Sequence, residues 1–220
     1  MSIADKLTAI AENEQKVYDA GSTNLLNHLT NNKERYDFSK FFYGADCTGL
    51  TFDSTFFENA TTTNSLFYLY QGTELPKGVI MPKATSIGNS GFGAAYYITE
   101  IYDMQIPVQS TWNNCFNSCG ELVTIGFPIK SDVNTVFPNI FYGCRELVNV
   151  TFDGEIGQNI SMSACTKLSH DSLMSLINTL YDYKAEGSTT TRTATLGATN
   201  LAKLTDTEKA IATQKGWTLA

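Results

Sequence analysis

The 220-residue sequence predicts an α+β chain: a short, irregular, mostly β solenoid with an N-terminal helix and a C-terminal α/β cap. Three observations predict it. First, one phrase recurs at residues 92–101, 116–125, 141–150 and 162–168, with starts 24, 25 and 21 residues apart. It reads aromatic or Met, two small or polar residues, Cys or Ala, two more residues, then an aliphatic. Second, a phrase ending in Pro and then Ile-Gly or its equivalents lies between the copies. Third, apolar stripes with helical spacing sit at the two ends of the chain. A repeat of this period means stacked units, each of which buries an apolar edge against the next.

Residues 1–21 read as the N-terminal helix. Ser2 and Asp5 resemble a capping box, and Gly21 is placed to terminate the helix. Ile3, Leu7, Ile10 and Val17 alternate by threes and fours, with Glu14 in the remaining slot, which is the seam of a coiled coil. They are the expected oligomerisation residues, in a homo-oligomer with a trimer preferred. An amphipathic helix packed on its own domain is the alternative.

Residues 22–75 are expected to form a β-rich N-terminal cap or degenerate repeats. Aromatics at Tyr36, Phe38, Phe41, Phe42, Tyr43, Phe52, Phe56, Phe57 and the run 66–70 suggest short strands and turns. Residues 42–52 echo residues 141–152 with one residue fewer, as a terminal repeat would.

Residues 76–170 carry the clear repeats. Their expected core is Phe92, Phe116, Cys119, Leu122, Ile125, Phe141, Cys144, Leu147, Val150, Cys165 and Leu168. Met81-Pro82 and Phe127-Pro128 each close an apolar pair, and Pro there is expected to end ladder pairing and begin a turn. Cys119, Cys144 and Cys165 share one repeat position and so read as small buried apolar groups. Disulfides or metal binding are the alternatives, but the spacing of Cys115 and Cys119 is not the Cys-x-x-Cys of a metal site.

These phrases resemble the leucine-rich repeats of the BspA-like type, whose pattern runs Cys-x-x-Leu-x-x-Ile-x-Ile-Pro and then Val-Thr-x-Ile-Gly-x-x-Ala-Phe. Residues 119–128 follow the first half with Phe127 for one Ile, and residues 81–92 follow the second half one residue short. The resemblance covers roughly residues 76–170 and implies a solenoid. Ala95 for Cys, Met162 for Phe and Phe137 for Gly are departures that preserve apolar character.

Residues 171–220 predict a helix-strand-helix-strand cap. Ser169 to Ser172 precede the stripe Leu173, Leu176, Ile177 and Leu180; residues 193–196 read as a strand. Thr205 and Glu208 form a capping box, Gly216 ends the helix, and residues 217–219 return as a strand. This tail is similar to those of leucine-rich-repeat proteins in phage and prophage regions of gut Firmicutes, and the opening residues look like the start of proteins from such tail-module neighbourhoods. The resemblance implies a phage or prophage tail-associated protein located in the virion, with a bacterial cell-surface or secreted adhesin as the alternative.

Composition narrows the function classes. Hydrophobic content of 42% with 17% charge is that of a globular chain. A net charge of -7, from 15 basic and 22 acidic residues, argues against nucleic acid and anionic membranes as partners. No apolar run approaches the roughly 20 residues of a membrane span, so no membrane insertion is expected. The opening ten residues lack the basic and apolar regions of a secretory signal.

No catalytic residue, metal site or cofactor is expected. His170-Asp171 beside Ser169 and Ser172 is better read as a helix cap than as a triad. Residues 88–93 lack the order of a phosphate loop. The candidate functional residues are aromatics that the repeat core does not demand: Tyr96, Tyr97, Tyr102, Trp112 and Tyr142, with Tyr97, Tyr102 and Trp112 the expected binding residues. The expected function is noncatalytic display of the repeat surface to a host surface protein or glycan.

Overall fold

The computed structural model describes residues 37–49, 51–52, 56–102 and 104–220. Ile3, Leu7, Ile10 and Val17 lie outside the described residues, as does the predicted helix that carries them.

The described chain winds as a stack of coils whose clearest axis is a column of aromatic rings. Phe42, Phe67, Phe92, Phe116 and Phe141 stack in order with centroids 4.7, 5.2, 5.2 and 5.6 Å apart and planes within 10° of parallel. Offset stacking of this kind contributes about 0.5–1.5 kcal/mol per pair beyond burial. Backbone bonds lock the same column. The N–H groups of Phe42, Phe67, Phe92 and Phe116 donate to the carbonyls of Leu66, Gly91, Cys115 and Ile140 one coil later, at 2.9, 2.6, 2.8 and 3.0 Å.

Each of these corners contains two left-handed residues four positions apart. They are Lys40 and Gly44, Ser65 and Leu69, Ser90 and Ala94, Asn114 and Ser118, and Asn139 and Gly143. A left-handed residue reverses the chain locally, so the corner cannot continue as a strand. The described runs around Phe42 and Phe67, where short strands and turns were expected, are corners. Before Glu100 the described residues hold only isolated bridges, Asp37 with Thr62 and Thr51 with Lys77. The ring column also extends the repeats upstream of residue 76, because Phe42 and Phe67 belong to it. The coils are therefore mostly turn, and regular strand is a minor part of each.

One side of the stack is a parallel sheet of β1 (Glu100–Ile101), β2 (Thr124–Ser131) and β3 (Asn149–Gly154), in that order. Glu100, Thr124 and Asn149 are in register. Pro128 does not end β2 as expected. The strand runs through it, and the register shifts between Thr124 and Pro128, the kind of irregularity at which a sheet tolerates Pro.

The C-terminal residues form a second parallel sheet, β4 (Ile160–Ser161), β5 (Arg192–Thr195) and β6 (Trp217–Leu219), with helices α1 (His170–Thr179), α2 (Ala198–Leu201) and α3 (Asp206–Gln214). The Ser169 side chain caps α1 by accepting from the Ser172 N–H. Thr205 and Glu208 form a reciprocal capping box on α3. Helix α1 also closes one edge of the first sheet. Ser172 and Ser175 hydroxyls accept from the N–H groups of Val150 and Phe152, both at 2.9 Å, which satisfies donors that the outer strand would otherwise expose.

The core is continuous through the coils. Phe92, Phe116, Cys119, Leu122, Ile125, Phe141, Cys144, Leu147, Val150, Cys165 and Leu168 are all buried in it. The thiols of Cys119 and Cys144 donate to the carbonyls of Phe92 and Phe116, one coil earlier, at 3.0 and 2.9 Å. Cys165 approaches the Phe141 carbonyl at 3.8 Å. Cys47, Cys115, Cys119, Cys144 and Cys165 are free and buried. Burial pushes Cys47, Cys119 and Cys165 up to about 12, and Cys115 and Cys144 well above the ordinary thiol value, so all five are held as thiols.

Candidate functional site

The outward side of the first sheet presents short polar side chains in rows. Glu100, Thr124 and Asn149 make one row, and Asn149 donates to the Thr124 hydroxyl at 3.3 Å. Tyr102 and Gly126 follow two residues along. A Cβ on Gly126 would fall 2.2 Å from the Tyr102 ring, so the bare glycine lets that ring lie across the neighbouring coil. The ring stays half exposed. Its hydroxyl is held above the ordinary phenol value by desolvation and then by the negative charge of Glu100.

Beside Tyr102 the sheet gives way to a groove of about 410 Å³, lined by residues 73–79 on one wall and by Thr99, Glu100, Tyr102 and Met104 on the other. The cause is a break in the ladder. Counting from the stacked rings, Pro76 follows Phe67 at the distance at which Ile101 follows Phe92 and Ile125 follows Phe116. Pro76 is buried in the same slot but has no N–H to offer the next coil. Among the described residues no backbone hydrogen bond joins residues 73–79 to residues 98–102, although the two coils remain laddered at their corners through Phe67 and Gly91.

The groove wall formed by residues 73–79 is anchored behind. Tyr70, in the repeat slot held by Cys119 and Cys144, accepts from the Cys47 N–H at 3.1 Å and donates to the Glu74 carbonyl at 2.8 Å. Lys77 bonds back to the earlier coil, where its carbonyl accepts from the Phe52 N–H at 2.9 Å.

The structure separates the three expected binding residues. Tyr102 stands on the sheet side at the groove. Tyr97 is exposed but lies at the turn before β1, at the repeat position that Glu121 and Glu146 hold in the following coils, five residues after the stacked ring. Trp112 is a correction: it is fully buried, packs against Phe116 with centroids 6.4 Å apart, and donates from Nε1 to the Lys130 carbonyl at 3.1 Å. It wedges between coils and offers nothing to a ligand. Tyr96 and Tyr142 are exposed away from the groove, and the exposed Tyr43 stacks on the partly buried Tyr68 at the corners. The reading of the sequence missed Glu74, Lys77 and Glu100. Their signal was the offset of Pro76 from Phe67, visible only once Phe67 is known to be a repeat aromatic.

His170 does not meet a serine. Its Nε2 lies 2.9 Å from a carboxylate oxygen of Glu208, so it ties α1 to α3. Among the described residues no group of three or more His, Cys, Asp or Glu is placed to hold a metal ion. No helix among them is long and apolar enough to cross a membrane.

Comparison with known families finds one similarity. A model described as BspA type leucine rich repeat region matches residues 61–192 in six copies, more than half of the chain. No curated protein and no solved structure matches.

Proposed function

The chain belongs to the BspA-type leucine-rich repeat family, and we propose on that premise that its coils form a noncatalytic surface that binds a host protein or glycan. The family is one of protein-binding and adhesion-type repeats. The observation that carries the reading is the exposure of Tyr102 and Tyr97, each about half accessible, on a backbone laddered coil to coil. An aromatic ring held on a rigid element presents contact area at little cost in ordering, and tyrosine adds a hydroxyl for a polar partner.

The assembly follows the resemblance of the two ends. The protein is a tail-associated component of a phage or prophage of gut Firmicutes, a fibre, baseplate or receptor-binding part, and a homo-oligomer through its N-terminal residues. A bacterial surface or secreted adhesin is the second reading, favoured by the family's adhesion-type character. Adjacent tail, holin or lysin genes support the first reading, and an exported gene product without them supports the second.

The binding reading is tested by a host-cell and glycan array screen of wild type against Tyr97→Ala and Tyr102→Ala. A saturable ligand that loses affinity in at least one variant supports the surface role. Robust turnover of any glycan by purified protein sinks the noncatalytic reading.

A further inference from the structure

The two edges of the first sheet are treated differently. At β3, helix α1 supplies Ser172 and Ser175 to the outer backbone groups. At β1, the outer edge faces the groove, and Pro76 opposite has no donor. Thr99 turns its carbonyl inward, where it accepts from Val123 and Thr124 at 2.7 and 3.2 Å. Strand alternation turns the backbone N–H and C=O of Glu100 the other way, into the groove. An uncovered strand edge is a template for another strand, and proteins ordinarily blunt it.

We infer that this groove is a strand-addition site that takes an extended, basic peptide segment of a partner protein, paired along β1. This deepens the binding reading above and rests on it. The occupant's backbone is set by the free edge: alternate peptide groups meet Glu100 N–H and C=O, as in other edge-binding domains. The volume of about 410 Å³ suits a short stretch of chain.

The occupant's charge is set by the walls. Glu74 and Glu100 line the groove against one cation, Lys77, in a chain of net charge -7. The half-exposed Tyr102 ring beside Glu100 offers a face for a guanidinium, which stacks on an aromatic while pairing with a carboxylate. Leu75, Val79 and Met104 give apolar contact to the residues that alternate with the cations.

The test uses the full chain and three fluorescein-labelled heptapeptides. One alternates Arg and Val; one alternates Glu and Val; the third is the Arg–Val peptide with alternate backbone nitrogens methylated. The Arg–Val peptide is expected to bind with Kd on the order of 10–100 μM, and the other two at least about tenfold more weakly. Glu100→Lys, at an exposed position, is expected to weaken the Arg–Val peptide by about tenfold with an unchanged melting temperature. Equal affinity for the methylated peptide overturns strand addition, and unchanged affinity in Glu100→Lys overturns the basic occupant. Host-cell binding is measured on the same proteins. Host binding with no peptide affinity overturns the groove site and leaves the surface reading standing. Peptide affinity without host binding upholds the groove and removes the host-recognition role.

Discussion

The Cys144 thiol donates to the Phe116 carbonyl of the preceding coil at 2.9 Å, and the same carbonyl accepts from the Cys119 N–H at 3.1 Å. One oxygen thus ties the corner of its own coil to the coil above. The aromatic whose carbonyl does this is also the fourth ring of the column, 5.2 Å from Phe92 and 5.6 Å from Phe141. Phe116→Ala is expected to destabilise the chain by about 3–5 kcal/mol, and Phe116→Leu by clearly less. Urea unfolding followed by circular dichroism measures both; no loss in Phe116→Leu would show that stacking of the rings adds nothing beyond burial.

The buried thiols give stability a pH dependence of known sign. Their folded values are raised, to about 12 for Cys119 and Cys165, while unfolded thiols ionise near 8.5. Stability is therefore fully present below about pH 8.5 and falls as pH rises toward the folded values, at up to about 1.4 kcal/mol per pH unit for each thiol. Cys165→Ala should flatten the slope measured between about pH 8.5 and 10. In the native protein the thiols should resist a disulfide reagent that modifies them at once in urea.

Gly126 sets the position of Tyr102. The 2.2 Å approach of a Cβ to the ring is relieved by swinging a half-exposed side chain, a small change in stability. Gly126→Ala is expected to cost under about 1 kcal/mol in folding while weakening a sheet-side ligand about as much as Tyr102→Ala does. Melting temperature and titration of the same ligand check the two halves.

Trp112 is a folding residue. Complete burial and the bond from Nε1 to Lys130 predict a loss of about 3–5 kcal/mol for Trp112→Ala. Where that variant still folds in the cold, its affinity for any ligand of Tyr102 should match wild type.

Thr205 caps α3 and orders Glu208, which accepts from the Thr205 N–H at 2.7 Å and meets His170 at 2.9 Å. Thr205→Ala is expected to destabilise by about 1 kcal/mol in chemical unfolding. Thr205→Ser, which keeps the hydroxyl, should restore most of it.

The parts of the fold that could be read from the chain are those whose signal is local. Ser169 and Thr205 cap helices because capping needs a hydroxyl at one fixed offset from an N–H, and residues 217–219 form the strand expected of them. The Phe, Cys and Leu positions of the later coils are buried as their shared spacing requires. The coil of Phe42 was legible as a terminal repeat, but that of Phe67 was hidden because Phe67 is followed by Tyr70 where later coils have Cys, and because β-prone aromatics look alike in a corner and in a strand. Trp112 was misread for a related reason: a large aromatic outside the repeat phrase is exposed or wedged according to what the adjacent coil leaves room for.

Periodicity in the chain established that units stack, since an apolar column every 24 or 25 residues has no other way to leave water. It did so without any contact being known. Which neighbours share a ladder, and where the ladder opens, was decided by tertiary packing. Pro76 removes one donor at one level, α1 brings two serines to the opposite edge from more than twenty residues downstream, and Gly126 clears space for a ring from the coil before. Each of these pairs residues far apart in sequence, so the groove beside Tyr102 exists only when the coils are set side by side.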